Sequence, residues 1–245
     1  MSDQLPRFYY VANRMFRLAL PLGRVRVTVV GRENVPLEGA LLMTSNHQSN
    51  LDPPLIGGFL PRDVVMMSKA ENFEGNALLR WVVVNYGAFP VRRGEGDVGA
   101  IRRALQVLKE GRALYVAPEG TRSRNGIMQE PQPGVALLAL RSGAPILPIG
   151  ISGIEHFAHR IGRWQPIPVT ITVGRPYRLV SPTRKPDRAT LLAMSDAIMD
   201  RIALLLPERH RGRFGQSGET PQFIEELDTN QLAAGEQADD QDLIL

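Results

Sequence analysis

Apolar and polar positions alternate along this chain in two rhythms. The first is helical: over residues 5–22, Phe8, Val11, Ala12, Met15, Ala19 and Leu22 recur every three to four positions, while Arg7, Asn13, Arg14 and Arg17 fall elsewhere. That spacing predicts an amphipathic helix. Beyond it, short β-rich runs at 25–30, 40–45, 64–68, 87–91, 112–116, 145–151 and 168–174 are interleaved with helical patterns at 53–60, 75–85, 97–110, 134–142 and 187–206. Ile101, Ala104, Leu105 and Leu108 give the 97–110 segment its apolar face, and Gly111 is placed to end it. Strand–helix alternation predicts an α/β fold, a largely parallel or mixed sheet flanked by helices, with the amphipathic helix in front. Ligands of such open sheets bind at the carboxyl ends of the strands.

Composition narrows the class. With 245 residues, 43% of them hydrophobic, the chain is long enough for one sizeable core and has no collagen-like or coiled-coil bias. The absence of cysteine excludes disulfides, thiolate metal sites and a cysteine nucleophile, and it fits a reducing compartment. No run of 18 uninterrupted apolar residues occurs, so a membrane-crossing helix is not expected. Arginines break the N-terminal apolar segment, which argues against a secretory signal.

Charge divides the chain more sharply than the net of +4 suggests. Residues 215–245 carry eight acids and no Lys or Arg, leaving the remainder at +12. Three parts are therefore expected: a membrane-surface helix at 1–24, an α/β domain at 25–214, and an acidic, disordered tail at 215–245. A basic body favours anionic partners. Aromatic residues interleave with basic ones only in the N-terminal helix, so nucleic acid is not the expected partner.

The stretch Ser45-Asn46-His47-Gln48-Ser49-Asn50-Leu51-Asp52-Pro53 follows a strand and precedes a helix. Asp52 before a proline reads as a helix N-cap. Five residues upstream, His47 offers a second use for that carboxylate: it can hold imidazole Nδ1, fix the tautomer and leave Nε2 free as a general base. Asn46-His47 with Asp52 resembles the NHx4D motif of glycerolipid acyltransferases, the group that includes 1-acylglycerol-3-phosphate acyltransferases. Three further blocks resemble that family in order: Gly87-Ala88-Phe89-Pro90-Val91-Arg92-Arg93, Pro118-Glu119-Gly120-Thr121-Arg122-Ser123, and Ile146-Leu147-Pro148-Ile149. The likeness covers roughly residues 25–180.

The resemblance implies direct attack of an acceptor hydroxyl on an acyl thioester, with His47 taking the proton and Asp52 orienting His47. It further implies that Arg92, Glu119, Gly120, Thr121 and Arg122 bind the acceptor, the arginines by forking phosphate oxygens. Glu119 is expected to orient an arginine or meet the glycerol hydroxyls. The implied acceptor is a lysophospholipid, 1-acylglycerol 3-phosphate first and glycerol 3-phosphate or another lysolipid as alternatives. Acyl-CoA or acyl carrier protein would be the donor, with no cofactor and no metal, since no second histidine stands at ligand spacing. The implied location is the cytoplasmic face of the plasma membrane, peripheral or monotopic.

Other patterns compete. Gly94-Glu95-Gly96-Asp97-Val98-Gly99 matches the dinucleotide fingerprint, with Glu119 twenty residues beyond it. Glu95 and Asp97 would put negative charge beside a pyrophosphate, and Asp97 serves equally as an N-cap. No GxSxG pentapeptide and no P-loop occur. A non-catalytic lipid-surface module is the remaining alternative. His156, His159 and His210 lack partner patterns and are expected at the surface. Leu78, Leu79, Trp81 and Val82 are expected to be core or the lining of an acyl tunnel.

Overall fold

A computed structural model describes residues 5–92, 97–123, 125–155, 157–216 and 222–227. In chain order the elements are α1 (Arg7–Leu22), β1 (Val25–Val30), β2 (Leu41–Ser45), α2 (Asp52–Phe59), β3 (Val64–Lys69), α3 (Glu71–Glu74), α4 (Ala77–Asn85), β4 (Phe89–Val91) and α5 (Val98–Lys109). Then come β5 (Ala113–Val116), α6 (Gly134–Ser142), β6 (Ile146–Ser152), α7 (Phe157–Gly162), β7 (Ile167–Val173), β8 (Tyr177–Leu179), α8 (Arg188–Ala203), α9 (Glu208–Arg211) and β9 (Ile224–Glu226).

The strands form one sheet in the order β1-β7-β6-β2-β5-β3-β4, with β8 and β9 appended beside β6. β6, β2, β5, β3 and β4 run parallel, and β1 with β7 runs against them. β2 lies in the middle and is buried on both faces, which is why it reads as the continuous apolar run Leu-Leu-Met. Successive β2 side chains serve opposite layers. Leu42 packs with Ala104 and Val107 of α5, Leu138 of α6 and Ile198 of α8, whereas Leu41 and Met43 pack with Leu55 and Ile56 of α2. Each such side chain stabilises the fold by roughly 1.5–3 kcal/mol. The central parallel strands therefore end together, and the loops leaving β2, β5 and β6 are neighbours.

All seven strands and five helices expected from β1 to α8 are present, with no end shifted by more than three residues. Four features differ from expectation. The 215–245 segment is not wholly tail: Ile224–Glu226 pairs with β8 and Phe223 is buried, so apolar residues inside an acidic stretch found an edge strand to complete. The rest of that segment lies outside the described residues, apart from 215, 216, 222 and 227. No residue of α4 is buried, so this helix is not core. Asp52 is the first residue of α2 rather than its N-cap, which is Leu51. His210 is only 4% exposed, because α9 turns it inward under the 123–128 loop.

The helix α1 packs inward through Tyr9, Asn13 and Leu20. Val11, Met15, Leu18 and Leu22 point to solvent, with Leu18 at 62% exposure. Beside them lies α4, joined by an edge-on contact of Phe8 with Trp81 at 4.8 Å, and it adds exposed Leu78, Leu79, Trp81 and Val84. No helix among the described residues is long and apolar enough to cross a membrane.

Candidate active site

The β2–α2 loop is held on three sides before any substrate is considered. Asn46, fully inside, donates Nδ2 to the Ile151 carbonyl (2.9 Å) and accepts from the Ile151 amide at Oδ1 (2.8 Å), copying a strand pairing onto β6. Ser45 Oγ donates to the Asn46 carbonyl (2.7 Å) and lies 2.9 Å from the Tyr115 hydroxyl of β5. Burial pushes that phenol far above its usual range, so it stays a neutral hydrogen-bonding group.

His47 follows. Its amide donates to Glu119 Oε1 (2.9 Å), and its carbonyl accepts from the Ser123 amide (2.8 Å), so the backbone is gripped from both sides by the 117–123 turn. Its Nδ1 sits 2.8 Å from Asp52 Oδ2. That same oxygen accepts from the amides of Gln48 (2.8 Å) and Ser49 (2.9 Å), so the carboxylate of the first helical residue folds back over the loop. Asp52 is 0% exposed, whereas the imidazole keeps an 11% exposed edge. An ionised carboxylate only accepts, so Nδ1 carries the hydrogen in the neutral ring. Nε2 then presents a lone pair, and no protein group among the described residues engages it. Two buried oxygens nearby, Asp52 Oδ1 and Gln48 Oε1, likewise have no protein partner among the described residues.

Glu119 is turned into the protein. It is 2% exposed, and its two oxygens accept from the amides of His47 and Gln129 (3.0 Å). Both oxygens are held by main-chain amides, and through the first of them the carboxylate positions the histidine. Burial pushes its carboxyl up to about 7, against the two amides that favour the charged form. Gly120 turns the chain with φ +66°, a left-handed conformation, and a Cβ there would meet Gln132 Cγ at 3.1 Å. Thr121 and Arg122 are exposed on the same turn. The turn is propped from behind by the Gly126 carbonyl, which accepts from Gln48 Nε2 (3.0 Å) and from His210 Nδ1 (2.7 Å). A histidine far along the chain with no motif around it gave no signal of this in the sequence.

Arg92 follows the edge strand β4, three strands from β2 and thus about 14 Å away across the sheet. It is exposed and lines a cavity of about 530 Å³ with Phe73, Phe89 and Arg103. Its amide donates to Asp97 Oδ2 (2.9 Å), and Asp97 Oδ1 accepts from Ala100 (2.9 Å), which makes Asp97 the N-cap of α5. Those bonds hold the Asp97 carboxyl below its ordinary range. A carboxylate thus occupies the helix start where a dinucleotide would need its pyrophosphate. Arg93, Gly94, Glu95, Gly96 and His156 lie outside the described residues. His159 is exposed, as expected.

Comparison with known proteins adds relatives by sequence and by fold. The chain is 28% identical over 156 residues to the 1-acyl-sn-glycerol-3-phosphate acyltransferase of Borreliella burgdorferi, covering 61% of this chain but only 60% of that one. It is 25% identical over 180 residues to the enzyme of the same name from Bacillus subtilis, covering 72% and 86%. The crystal structure of the 1-acyl-sn-glycerophosphate (LPA) acyltransferase PlsC from Thermotoga maritima superposes with a TM-score of 0.58 at 26% identity, covering 78% of this chain and 76% of that one. A model of the family described as Acyltransferase matches residues 26–152, a span that runs from β1 through β6 and takes in His47, Asp52 and Glu119. By that match, this chain belongs to the acyltransferase family.

Proposed function

We propose that this protein transfers a fatty acyl group from a thioester to the free hydroxyl of 1-acylglycerol 3-phosphate, giving phosphatidic acid. The observation that carries the reading is the His47 Nδ1–Asp52 Oδ2 bond at 2.8 Å, with the other ring nitrogen open at the carboxyl edge of the sheet. The relatives named for this activity support the choice of acceptor.

Each group has a place in the step. His47 Nε2 takes the hydroxyl proton as the oxygen attacks the thioester carbonyl carbon, and Asp52 stabilises the imidazolium that forms. Collapse of the tetrahedral intermediate breaks the C–S bond, and the imidazolium returns its proton to the departing thiolate. Proton transfer of this kind supplies about 10²–10⁴-fold. Arg122 and Thr121 on the 119–122 turn, with Arg92 across the sheet, bind the acceptor phosphate; Gly120 lets the turn come close. The donor is acyl-CoA or acyl carrier protein, with no cofactor. The apolar faces of α1 and α4 rest on the cytoplasmic surface of the plasma membrane, where both the lysolipid and the product reside.

Purified protein incubated with labelled acyl thioesters and a panel of lysolipids tests the reading. Labelled phosphatidic acid from 1-acylglycerol 3-phosphate is expected, and Arg122→Ala should raise the acceptor KM about tenfold or more while sparing the donor KM. Product only from lysolipids lacking a phosphomonoester would reassign the acceptor. No product with either thioester carrier would leave a lipid-surface module.

A further inference from the structure

A second cavity, of about 650 Å³, lies at the opposite end of the sheet from His47. It opens where the chain enters β2, β3 and β5, and α1 forms one wall. Four arginines line it, Arg14 and Arg17 from α1 with Arg62 and Arg112 from the floor, against the single carboxylate of Asp63. That carboxylate is engaged by the Tyr10 hydroxyl. The nearest carboxylate to Arg112 is Glu110, at 3.8 Å. Arg62 is spent on main-chain carbonyls, donating to Pro36 and Glu38 (both 2.7 Å) and to Gly111 (3.2 Å), so it staples three turns into a rigid floor while keeping its charge. Burial of this cation lowers its pKa to about 10, still far above neutrality. Against four guanidinium groups the protein sets three carboxylates, Asp63 in the groove, Glu110 on Arg112 and Glu38 near Arg62, so the groove keeps a positive surplus, at a size typical of small-ligand sites.

Its surroundings say what the anion is attached to. At about 100° per residue, Tyr10, Arg14 and Arg17 occupy the flank of α1 next to the exposed stripe of Val11, Leu18 and Leu22. At the opposite lip stands Leu37, 67% exposed. A free phosphate needs no apolar rim. A phospholipid does, because its phosphate and its chains must be met side by side. We propose that this groove is a binding site for the phosphate headgroup of an anionic glycerophospholipid, separate from the acceptor site, which fixes how α1 lies on the bilayer. The proposal rests on the membrane-surface reading of α1 and not on the acyl-transfer reading.

Vesicle co-sedimentation of the full chain tests it, comparing phosphatidylcholine alone, whose ammonium the arginines repel, with phosphatidylcholine containing phosphatidylglycerol. Arg14→Gln/Arg17→Gln should weaken binding to the anionic vesicles about thirtyfold, about fivefold per arginine, and leave the weaker phosphatidylcholine binding unchanged. Arg112→Gln, off the helix, should also cost about fivefold. Arg14→Lys/Arg17→Lys keeps both charges but loses the planar forks, and it should bind at least about threefold more weakly than the parent. Parent-like binding by Arg112→Gln, or by the lysine pair, would overturn the site in favour of unspecific charge attraction. Inorganic phosphate that dislodges the parent from vesicles at micromolar concentration would overturn the lipid assignment. Acyl transfer in detergent micelles is read separately: Arg14→Gln/Arg17→Gln should keep the parent kcat there. An inactive parent would undo the enzyme reading without touching the vesicle result.

Discussion

The His47 loop and the α1–α4 face use their side chains in opposite ways. Around His47, polar atoms are turned inward and most are bound to main chain: Asn46 to β6, Glu119 to His47 and Gln129, and Asp52 to two amides besides the imidazole. On α1 and α4, large apolar side chains are turned outward with nothing over them among the described residues; Leu78 is 71% exposed. The first region holds a geometry fixed in advance, which is what proton transfer and positioning require. The second leaves its driving force unspent until an apolar phase covers it. A substitution in the loop should therefore alter chemistry or folding, and one on the helix face should alter neither.

The largest contrast is expected at Asp52. Asp52→Asn leaves the shape but puts an amide where only an acceptor fits, and turnover should fall by about 10²–10⁴-fold with the melting temperature little changed. Equal turnover would mean the carboxylate merely caps the loop. Next, Asn46→Ala orphans a buried amide and carbonyl of Ile151 and should lower unfolding free energy by about 2–4 kcal/mol in urea titration. A cost under 1 kcal/mol, on the order of one exposed hydrogen bond, would mean that the bridge is dispensable.

Glu119 gives a pH signature. Its carboxyl ionises near 4.5 when free and about 7 when folded, so between those values the folded protein holds a proton that the unfolded chain lacks. Its contribution to stability is complete below 4.5 and is lost as pH rises through about 7, by on the order of 3 kcal/mol. The parent's unfolding free energy relative to Glu119→Gln should fall over that window and level off above it; a flat or rising difference contradicts the burial. The smallest effect is expected on the helix face. Leu18→Ser with Leu78→Ser should change stability by less than about 0.5 kcal/mol yet remove the protein from vesicles. A loss of about 2 kcal/mol would show that this face covers core.

Much of this was legible in the sequence, and the gaps have physical causes. The strands stand out because each central one is a short apolar run bounded by turns, and His47 with Asp52 stands out because five loop residues suffice to bring imidazole and carboxylate together. Periodicity marks α1 as amphipathic but does not say which face meets the core: Tyr9, Asn13 and Leu20 do, and the Val11–Leu22 stripe does not. Composition cannot place α4 either, since an apolar helix reads as core wherever it lies. The amides of His47 and Gln129 that Glu119 holds were not foreseen, because a motif names a residue without saying which main-chain groups its oxygens meet. Phe223 and His210 were missed because their partners, β8 and the Gly126 carbonyl, are far away in the chain.

The claim beneath all of this is that the neutral imidazole at 47 carries its hydrogen on Nδ1 and offers Nε2 to the acceptor. Spectra of the protein labelled with nitrogen-15 histidine read this directly, by the couplings of each ring nitrogen to its carbon-bound protons. His47 should show a protonated Nδ1 and a bare Nε2, with that pattern lost in Asp52→Asn. A hydrogen found on Nε2 in the parent would leave no base facing the substrate.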